Sequence, residues 1–355
     1  MRLGNLPAGV TPVRIGVLLP FSNGSASTRL LASTMLKAAQ MALFDSGKRN
    51  LVLMTADEGG GGSEAASGAR TLLSEGAEII IGPLFAQSVS AVAPVTRDHG
   101  VPLISFSTDR AVAGDGVYLL SFQPENQVRR IISYAAGQGH SAFAALVPST
   151  AYGARVTEAF RAGIAAATGA RIADLENFAP ASGDITAPAT RIAHAGADAV
   201  LIAQGGTLLR DIASTLAAEG AGSRKIQYLG TGLWDDAETA REPSLAGSWF
   251  AAPDPDAEHS YETKYRAAYG AKPPALSALA YDAVSLAALL ASGPAYHRFT
   301  FDSLTDPSGF SGIDGIFRFN PDGTSERGLA VLKIESEGAI TVISPAPRTF
   351  QESGS

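Results

Sequence analysis

The sequence has 355 residues, more than one hydrophobic core usually serves, so two domains are expected. Apolar residues make up 46% and charged residues 17% of the chain, which excludes long disorder and suits a globular α/β protein. The net charge of −7 argues against a nucleic-acid partner, and the absence of cysteine excludes disulfides and thiolate metal sites.

The first third of the chain alternates strand-like and helix-like segments from Val13 onward. This alternation predicts right-handed βαβ units, with helices on both faces of a parallel sheet. The predicted strands are 13–19, 51–56, 79–81, 103–105 and 117–121, and the predicted helices are 28–44, 63–74 and 88–99.

The same rhythm restarts near Phe122, which we take as a crossing into a second lobe. The predicted elements there are helices 127–137, 152–168, 186–194 and 207–218, with strands 142–147, 172–178, 199–203 and 226–229. Two prolines in residues 251–256 exclude both a helix and a central strand. This break predicts a second crossing.

The last part of the chain predicts two further helices, 258–269 and 276–291, and then antiparallel strands joined by turns at Asp322-Gly323 and Glu337-Gly338. A chain that crosses more than once predicts a hinged, bilobed protein with a cleft between facing strand ends. We assign 13–121 plus 253–318 to an N-terminal lobe, 122–252 plus 319–346 to a C-terminal lobe, and 1–12 and 347–355 to flexible tails.

Small polar residues follow two neighbouring predicted strands, in Glu78 to Ser90 and Val101 to Thr108. Ligands of doubly wound sheets bind beyond such strand ends, where backbone N–H groups attract anions. Ser88 also fits a helix cap, and Ser105, Ser107 and Thr108 also fit turns. Their common position favours ligand contact.

The second lobe repeats this arrangement around Tyr152, which also fits a packing role, and Trp234, for which a core role is equally well supported. The full set of predicted ligand contacts is Phe21, Ser22, Gln87, Ser88, Ser105, Ser107, Thr108, Tyr152, Gln204, Thr231, Trp234 and Asp235.

The sequence offers no constellation for catalysis or for a cofactor. Gly59 to Gly62 matches neither phosphate-loop pattern and indicates a surface loop. The five histidines are scattered without ligand spacing, and the adjacent Asp235 and Asp236 suit a cap or solvation. We therefore expect neither an enzyme nor a metal or cofactor.

Several motifs, in their order along the chain, resemble those of type I periplasmic solute-binding proteins, particularly the leucine/isoleucine/valine-binding group of ABC transporters. They are Ile15-Gly-Val-Leu-Leu-Pro-Phe-Ser, Ile81-Gly-Pro, Pro102-Leu-Ile-Ser, Ala151-Tyr-Gly, Leu229-Gly-Thr-Gly and Ala280-Tyr-Asp-Ala. The resemblance implies two Rossmann-like lobes on a multi-strand hinge, which close on an amino acid or small carboxylate and deliver it to a permease. It also implies a periplasmic protein whose leader, with any lipid anchor, is missing from this sequence.

The chain departs from that family at three pocket positions. Ala86, the Ser25 to Ser27 region and Gly232 stand where the amino-acid-binding members have a serine, a tyrosine and an acidic residue that meets the ligand's ammonium group. Gln87, Ser88, Asp109 and Asp235 are the candidate substitutes. Because an unpaired buried ammonium costs several kcal/mol, an α-amino acid ligand is less firmly implied than the fold.

A second resemblance leaves an alternative function open. The run from Gly230 to Asp236 and the tail from Phe319 to Leu332 look like proteobacterial sequences described as penicillin-binding protein activators, which share the fold. These are outer-membrane lipoproteins that bind a peptidoglycan synthase. The alternative predicts a surface contact with that enzyme instead of solute transport.

Overall fold

The computed structural model describes residues 11–295 and 297–350. Predicted tail residues 1–10 and 351–355 lie outside the described part of the chain. The strands are β1 (Val13–Leu19), β2 (Leu51–Asp57), β3 (Ile79–Ile81), β4 (Leu103–Ser105), β5 (Val117–Leu119), β6 (Ala142–Pro148), β7 (Arg171–Phe178), β8 (Ala199–Ile202), β9 (Gln227–Gly230), β10 (Trp249–Ala252), β11 (Phe317–Phe319), β12 (Ser325–Arg327), β13 (Ala330–Ile334) and β14 (Ile340–Ser344).

The helices alternate with these strands. They are α1 (Ala26–Asp45), α2 (Gly62–Ser74), α3 (Ala86–Asp98), α4 (Pro124–Gly137), α5 (Ala151–Ala166), α6 (Thr186–His194), α7 (Gly206–Ala218), α8 (Ala237–Ala240), α9 (Pro255–Tyr269), α10 (Ser277–Leu290) and α11 (Phe301–Leu304). Local sequence determines where two of these helices begin. The hydroxyl of Ser25 caps α1 by accepting a hydrogen bond from the amide of Thr28, and Pro124 lies in the first turn of α4, a position that tolerates proline.

The chain divides into two compact units. Unit 1 comprises the described residues up to Phe122, then Pro255–Gly328 and those from Arg348. Unit 2 comprises Gln123–Asp254 and Leu329–Pro347. The chain therefore passes from one unit to the other after Phe122, after Asp254, after Gly328 and after Pro347.

Unit 1 is built on a parallel five-stranded sheet in the order β2-β1-β3-β4-β5. Strands β1, β3, β4 and β5 are almost entirely buried, as their continuous apolar runs predict, whereas the edge strand β2 is only partly buried. In β3, Ile79 and Ile81 enter one hydrophobic cluster and Ile80 enters another. The sheet thus separates two cores, which is the doubly wound arrangement.

Unit 2 repeats the pattern with two extra strands. Its sheet has the order β14-β13-β10-β9-β8-β6-β7. Strands β6 to β10 run parallel to one another, β13 pairs antiparallel with β10, and β14 pairs antiparallel with β13. Leu146 of β6 packs into one core and Phe143 of the same strand into the other. Both units therefore carry a sheet covered on two faces.

Two of the predicted segment assignments are wrong. Strand β10 occupies residues 249–252 in the middle of the sheet, and its last two residues fall in the 251–256 segment where the prolines were expected to exclude a central strand. Pro253 follows the strand, and Pro255 begins α9, a helix position that tolerates proline. The prolines therefore mark the end of a strand and the start of a helix.

The predicted final crossing at residues 318–319 also lies too early in the chain. Strands β11 and β12 pair as an antiparallel hairpin, and the amide of Leu119 donates to the carbonyl of Gly323 at 2.8 Å. These bonds hold the hairpin in unit 1 up to Gly328. The C-terminal end of the described chain also contacts this unit, since the guanidinium of Arg318 lies 4.6 Å from the ring centre of Phe350.

Candidate functional site

The carboxyl edge of the unit 1 sheet carries most of the predicted contacts in that unit. Strand order reverses at β1, whose neighbours are β2 on one side and β3 on the other. Loops that leave such strands diverge and open a crevice, the usual binding position in open α/β sheets. Phe21 and Ser22 follow β1, and Gln87 and Ser88 lie in the first turn of α3 after β3.

Asp57, the last residue of β2, organises the loop after β1. Its Oδ1 accepts from the amides of Phe21 at 2.9 Å and Gly59 at 3.0 Å. Burial by itself raises the pKa of the Asp57 carboxyl, but these amides and the Ser22 hydroxyl outweigh it and hold the pKa below its usual value. Asp57 is therefore a permanent negative charge at this edge.

Glu58 holds the start of α3. Its side chain is fully buried, and its two oxygens accept from the amides of Leu84 at 2.8 Å and Phe85 at 3.0 Å. The Ser88 hydroxyl forms a third hydrogen bond to it. Burial raises the pKa of Glu58, and these donors offset part of that rise. The predicted contact Ser88 is thus buried against a carboxylate of the protein itself.

The hydroxyls after β4 are largely used within the protein. The Ser105 hydroxyl is fully buried, donates to the carbonyl of Pro83 at 3.0 Å and accepts from the amide of Ser107. The Ser107 hydroxyl accepts from the amide of Asp109 at 3.1 Å. These bonds favour the turn-forming role for both serines. Thr108 is exposed at the same edge.

The remaining predicted contacts of unit 1 are accessible. Ser22 and Gln87 are exposed, and Phe21 is half-buried against the core beneath α1. Phe85, which precedes α3, is 46% exposed despite its apolar ring. This edge therefore presents neutral polar groups beside an aromatic surface.

Unit 2 places Tyr152 and Thr231 in direct contact. The phenol oxygen lies 3.0 Å from the Thr231 hydroxyl, which brings the ends of β6 and β9 together. Burial raises the pKa of Tyr152, so the phenol stays neutral and both donates and accepts. Thr231 is fully buried, whereas Tyr152 is partly accessible.

Trp234 is a core residue. Its ring is fully buried against Phe250, and its indole N–H donates to the carbonyl of Gln204 at 2.8 Å. This geometry supports the core alternative over ligand stacking. Gln204 is partly accessible, and Asp235 is exposed beside Asp236, which caps α8.

Residues 12–339 match a known family model, described as periplasmic binding protein. The chain belongs to the periplasmic binding protein family.

Solved structures share the fold of this periplasmic binding protein. A putative branched-chain amino acid ABC transporter protein from Rhodospirillum rubrum is 19% identical with a TM-score of 0.83, covering 94% of this chain and 100% of that one. LivJ from Streptococcus pneumoniae, in complex with isoleucine, is 22% identical with a TM-score of 0.62, covering 94% and 100%. A benzoate complex of an R. palustris ABC transporter solute-binding protein is 19% identical with a TM-score of 0.62, covering 95% and 97%.

At these low sequence identities, the similarity shows a shared fold and does not identify the ligand. They confirm the predicted type I α/β fold with two lobes. An uncharacterized protein of Rickettsia prowazekii (strain Madrid E) is 24% identical over 146 residues, and the match spans 41% of this chain and 38% of that protein. Since family members bind solutes without transforming them, the protein is a binding protein and not an enzyme.

The binding protein has a charged network in unit 2 that the sequence patterns did not indicate. Arg155 makes a bidentate ion pair with Glu125, at 2.9 and 2.7 Å, and also donates to the Gln123 side chain. The Gln127 side chain accepts from the amide of Gly232 at 3.0 Å. These bonds join the first turns of α4 and α5 to the loop after β9. The bonded residues are far apart in the sequence, so no local sequence pattern indicated this network.

Within residues 11–295 and 297–350, no group of three or more His, Asp or Glu side chains is arranged to hold a metal ion. The Gly59 to Gly62 run forms a turn and the start of α2, with the amide of Gly60 donating to Glu64 at 2.6 Å. Over the same described segments, none of the helices combines the length and apolar character of a membrane span.

Proposed function

We propose that this periplasmic binding protein is the solute-binding component of an ABC transporter, with a branched-chain amino acid or a related small carboxylate as its solute. Family membership supports a binding role. The solved relatives that carry isoleucine and benzoate support this range of ligands, through fold alone.

The observation that carries the proposal is the accessible set of neutral polar side chains at the carboxyl edge of each sheet. In unit 1 these are Ser22, Gln87 and Thr108, beside the exposed ring of Phe85. In unit 2 they are the Tyr152 phenol and the Gln204 amide. A few convergent polar groups beside apolar surface are the usual lining of a small-molecule site.

The protein would act in the periplasm and present its solute to a permease, and a lipid anchor would keep it near the membrane. Solute-driven closure of two lobes needs contacts that are stronger in the closed form than in the open one. The comparisons reported above do not support the activator alternative.

Thermal-shift screening tests the proposal, with calorimetry on each hit. The panel consists of leucine, isoleucine, valine, benzoate and short aliphatic carboxylates. A solute at a hundredfold its Kd adds about 2.7 kcal/mol to the free energy of unfolding, which is easily seen. Stabilisation by one or more of these solutes supports the proposal, and a flat response to the whole panel contradicts it.

A further inference from the structure

The edge strands of the two sheets, β2, β5, β7 and β14, differ in how their outer edge is protected. Natural proteins protect such an edge with charges, proline, a bulge or a covering segment, because its unpaired N–H and C=O groups bind other strands. β7 carries three charged residues, and its register with β6 shifts once. β14 pairs with β13 through a register shift, and Pro345 follows it directly. β5 is covered, since the amide of Leu119 donates to the carbonyl of Gly323.

Among the described residues, strand β2 has none of these protections. Its seven residues, Leu51–Asp57, stay in register with β1 from end to end, and they include no proline and no charge before Asp57. β1 is the only strand of the described chain that pairs with it. Leu53 and Met54 are half-buried and Thr55 is exposed, whereas the adjacent β1 is almost entirely buried. The outer edge of β2 is therefore a regular, neutral template for a further strand.

The two ends of β2 carry opposite charges. Arg49 is exposed two residues before the strand, and Asp57, its last residue, is ionised. When two copies of such a strand pair antiparallel, the positive end of each copy meets the negative end of the other. In the register that pairs Leu51 with Asp57 of the second copy, Arg49 becomes a diagonal neighbour of that carboxylate, at a spacing that a long side chain spans. Parallel pairing would instead bring like charges together.

We propose that the outer edge of β2 is an interaction surface, and that its partner is β2 of a second copy of this chain, paired antiparallel. The two sheets would then continue into each other across a two-fold axis at Met54, the middle residue of the strand. Such a pairing is isologous, so the same surface serves both copies. Because two seven-residue strands bury less surface than the interface of a permanent dimer, the dimer is weak and reversible. It needs no solute and is therefore independent of the proposed transport function.

Disulfide cross-linking tests the position of the axis. The chain has no cysteine, so a single introduced thiol can form a disulfide only between copies. The Cα atoms of residues directly opposite on antiparallel strands are about 4.5–5.5 Å apart, which suits a disulfide. Met54→Cys should therefore give a covalent dimer under mild oxidation, whereas Val342→Cys, the matched position in the middle of β14, should stay monomeric. Cross-linking of Val342→Cys as fast as that of Met54→Cys would overturn the assignment.

Sedimentation equilibrium measures the affinity of the dimer. The wild type is expected to show a concentration-dependent equilibrium between monomer and dimer. Thr55→Lys should raise the dissociation constant about tenfold or more, because the two introduced lysines are diagonal neighbours across the axis. Arg49→Glu should also raise it about tenfold, since it sets two carboxylates beside each other. Val342→Lys is the control and should leave the dissociation constant unchanged.

Circular dichroism and thermal unfolding verify that each variant folds. Arg49→Glu lies outside the strand and keeps the test decisive if Thr55→Lys does not fold. A wild type that stays monomeric at every concentration would overturn the proposal, and so would a dimer that both Thr55→Lys and Arg49→Glu leave intact. A dimer that is broken by Val342→Lys would place the interface at β14 and overturn it as well.

Discussion

Arg327 and Asp282 form a buried ion pair in unit 1, with Nη1 of the arginine 3.5 Å from Oδ2 of the aspartate and both side chains at most 3% exposed. The guanidinium lies 5.4 Å from the ring centres of both Phe122 and Phe317. Phe122 and Arg327 stand beside two of the points at which the chain leaves unit 1. The pair therefore anchors two connecting segments to α10.

Replacing Arg327 by methionine should lower the free energy of unfolding by about 3–5 kcal/mol, because it leaves a buried carboxylate without its partner. Urea denaturation measures the change. Arg97→Met provides the control, since Arg97 pairs with Asp115 at 3.4 Å on the exposed surface and should contribute about 0–1 kcal/mol. Equal losses of unfolding free energy in the two variants would show that the buried pair stabilises the protein no more than the exposed pair.

The Asp282 pair also predicts a pH dependence of stability. Burial raises the pKa of Asp282 from 3.8 to about 6 in the folded protein, although Arg327 opposes the rise. The folded state then binds a proton more tightly than the unfolded state, so this group's contribution is fully present below about pH 3.8 and is lost as the pH rises through about 6.

Asp282→Asn should remove this slope. The unfolding free energy of the wild type minus that of the variant should therefore decrease as the pH rises from 4 to 6. Denaturation at several pH values measures it. Asp322→Asn should behave oppositely, because hydrogen bonds from Thr324 outweigh burial and lower the pKa of Asp322. A difference that grows with pH for Asp282→Asn would contradict the assignment.

Gly153 should not tolerate a side chain. A Cβ atom there would lie 1.7 Å from the carbonyl oxygen of Pro148, so α5 would have to shift away from β6. Gly153→Ala should therefore lower the free energy of unfolding by about 1–3 kcal/mol, the usual cost of overpacking. Gly137, at the end of α4, has open space around its Cβ position, and Gly137→Ala should be neutral or stabilising by up to about 1 kcal/mol. Thermal unfolding of both variants tests the contrast.

Much of the strand framework was predictable, because buried parallel strands are continuous apolar runs. β1, β3 and β4 have the predicted bounds. β10 was missed because two prolines dominated the local pattern, whereas the strand is defined by pairing with β9 and β13. The predicted boundary at residue 318 split the hairpin of β11 and β12 between the two lobes for a similar reason, since its placement in unit 1 depends on a bond to Leu119, which lies in an earlier part of the chain.

The positions of the candidate residues at the strand ends were predictable, but their hydrogen-bond partners were not. Hydroxyl residues at strand ends pointed to the carboxyl edge, and Tyr152 lies there as expected. The partners of Ser88 and Ser105 are Glu58 and Pro83, which the fold brings to them from other loops. A sequence pattern shows which groups stand at an edge, and the three-dimensional contacts decide whether they are available to a solute.

Tyr152 should contribute to solute binding through its hydroxyl. Tyr152→Phe keeps the ring but removes the bond to Thr231, which should cost about 1 kcal/mol of stability. If the same phenol also meets the solute, the Kd for the best-binding amino acid should rise about tenfold, as the loss of one or two hydrogen bonds implies. Tyr134→Phe is the matched control, because Tyr134 packs its ring on Trp249 within unit 2 away from this edge. Calorimetry on both variants separates the roles: equal Kd values for wild type and Tyr152→Phe would confine Tyr152 to holding Thr231.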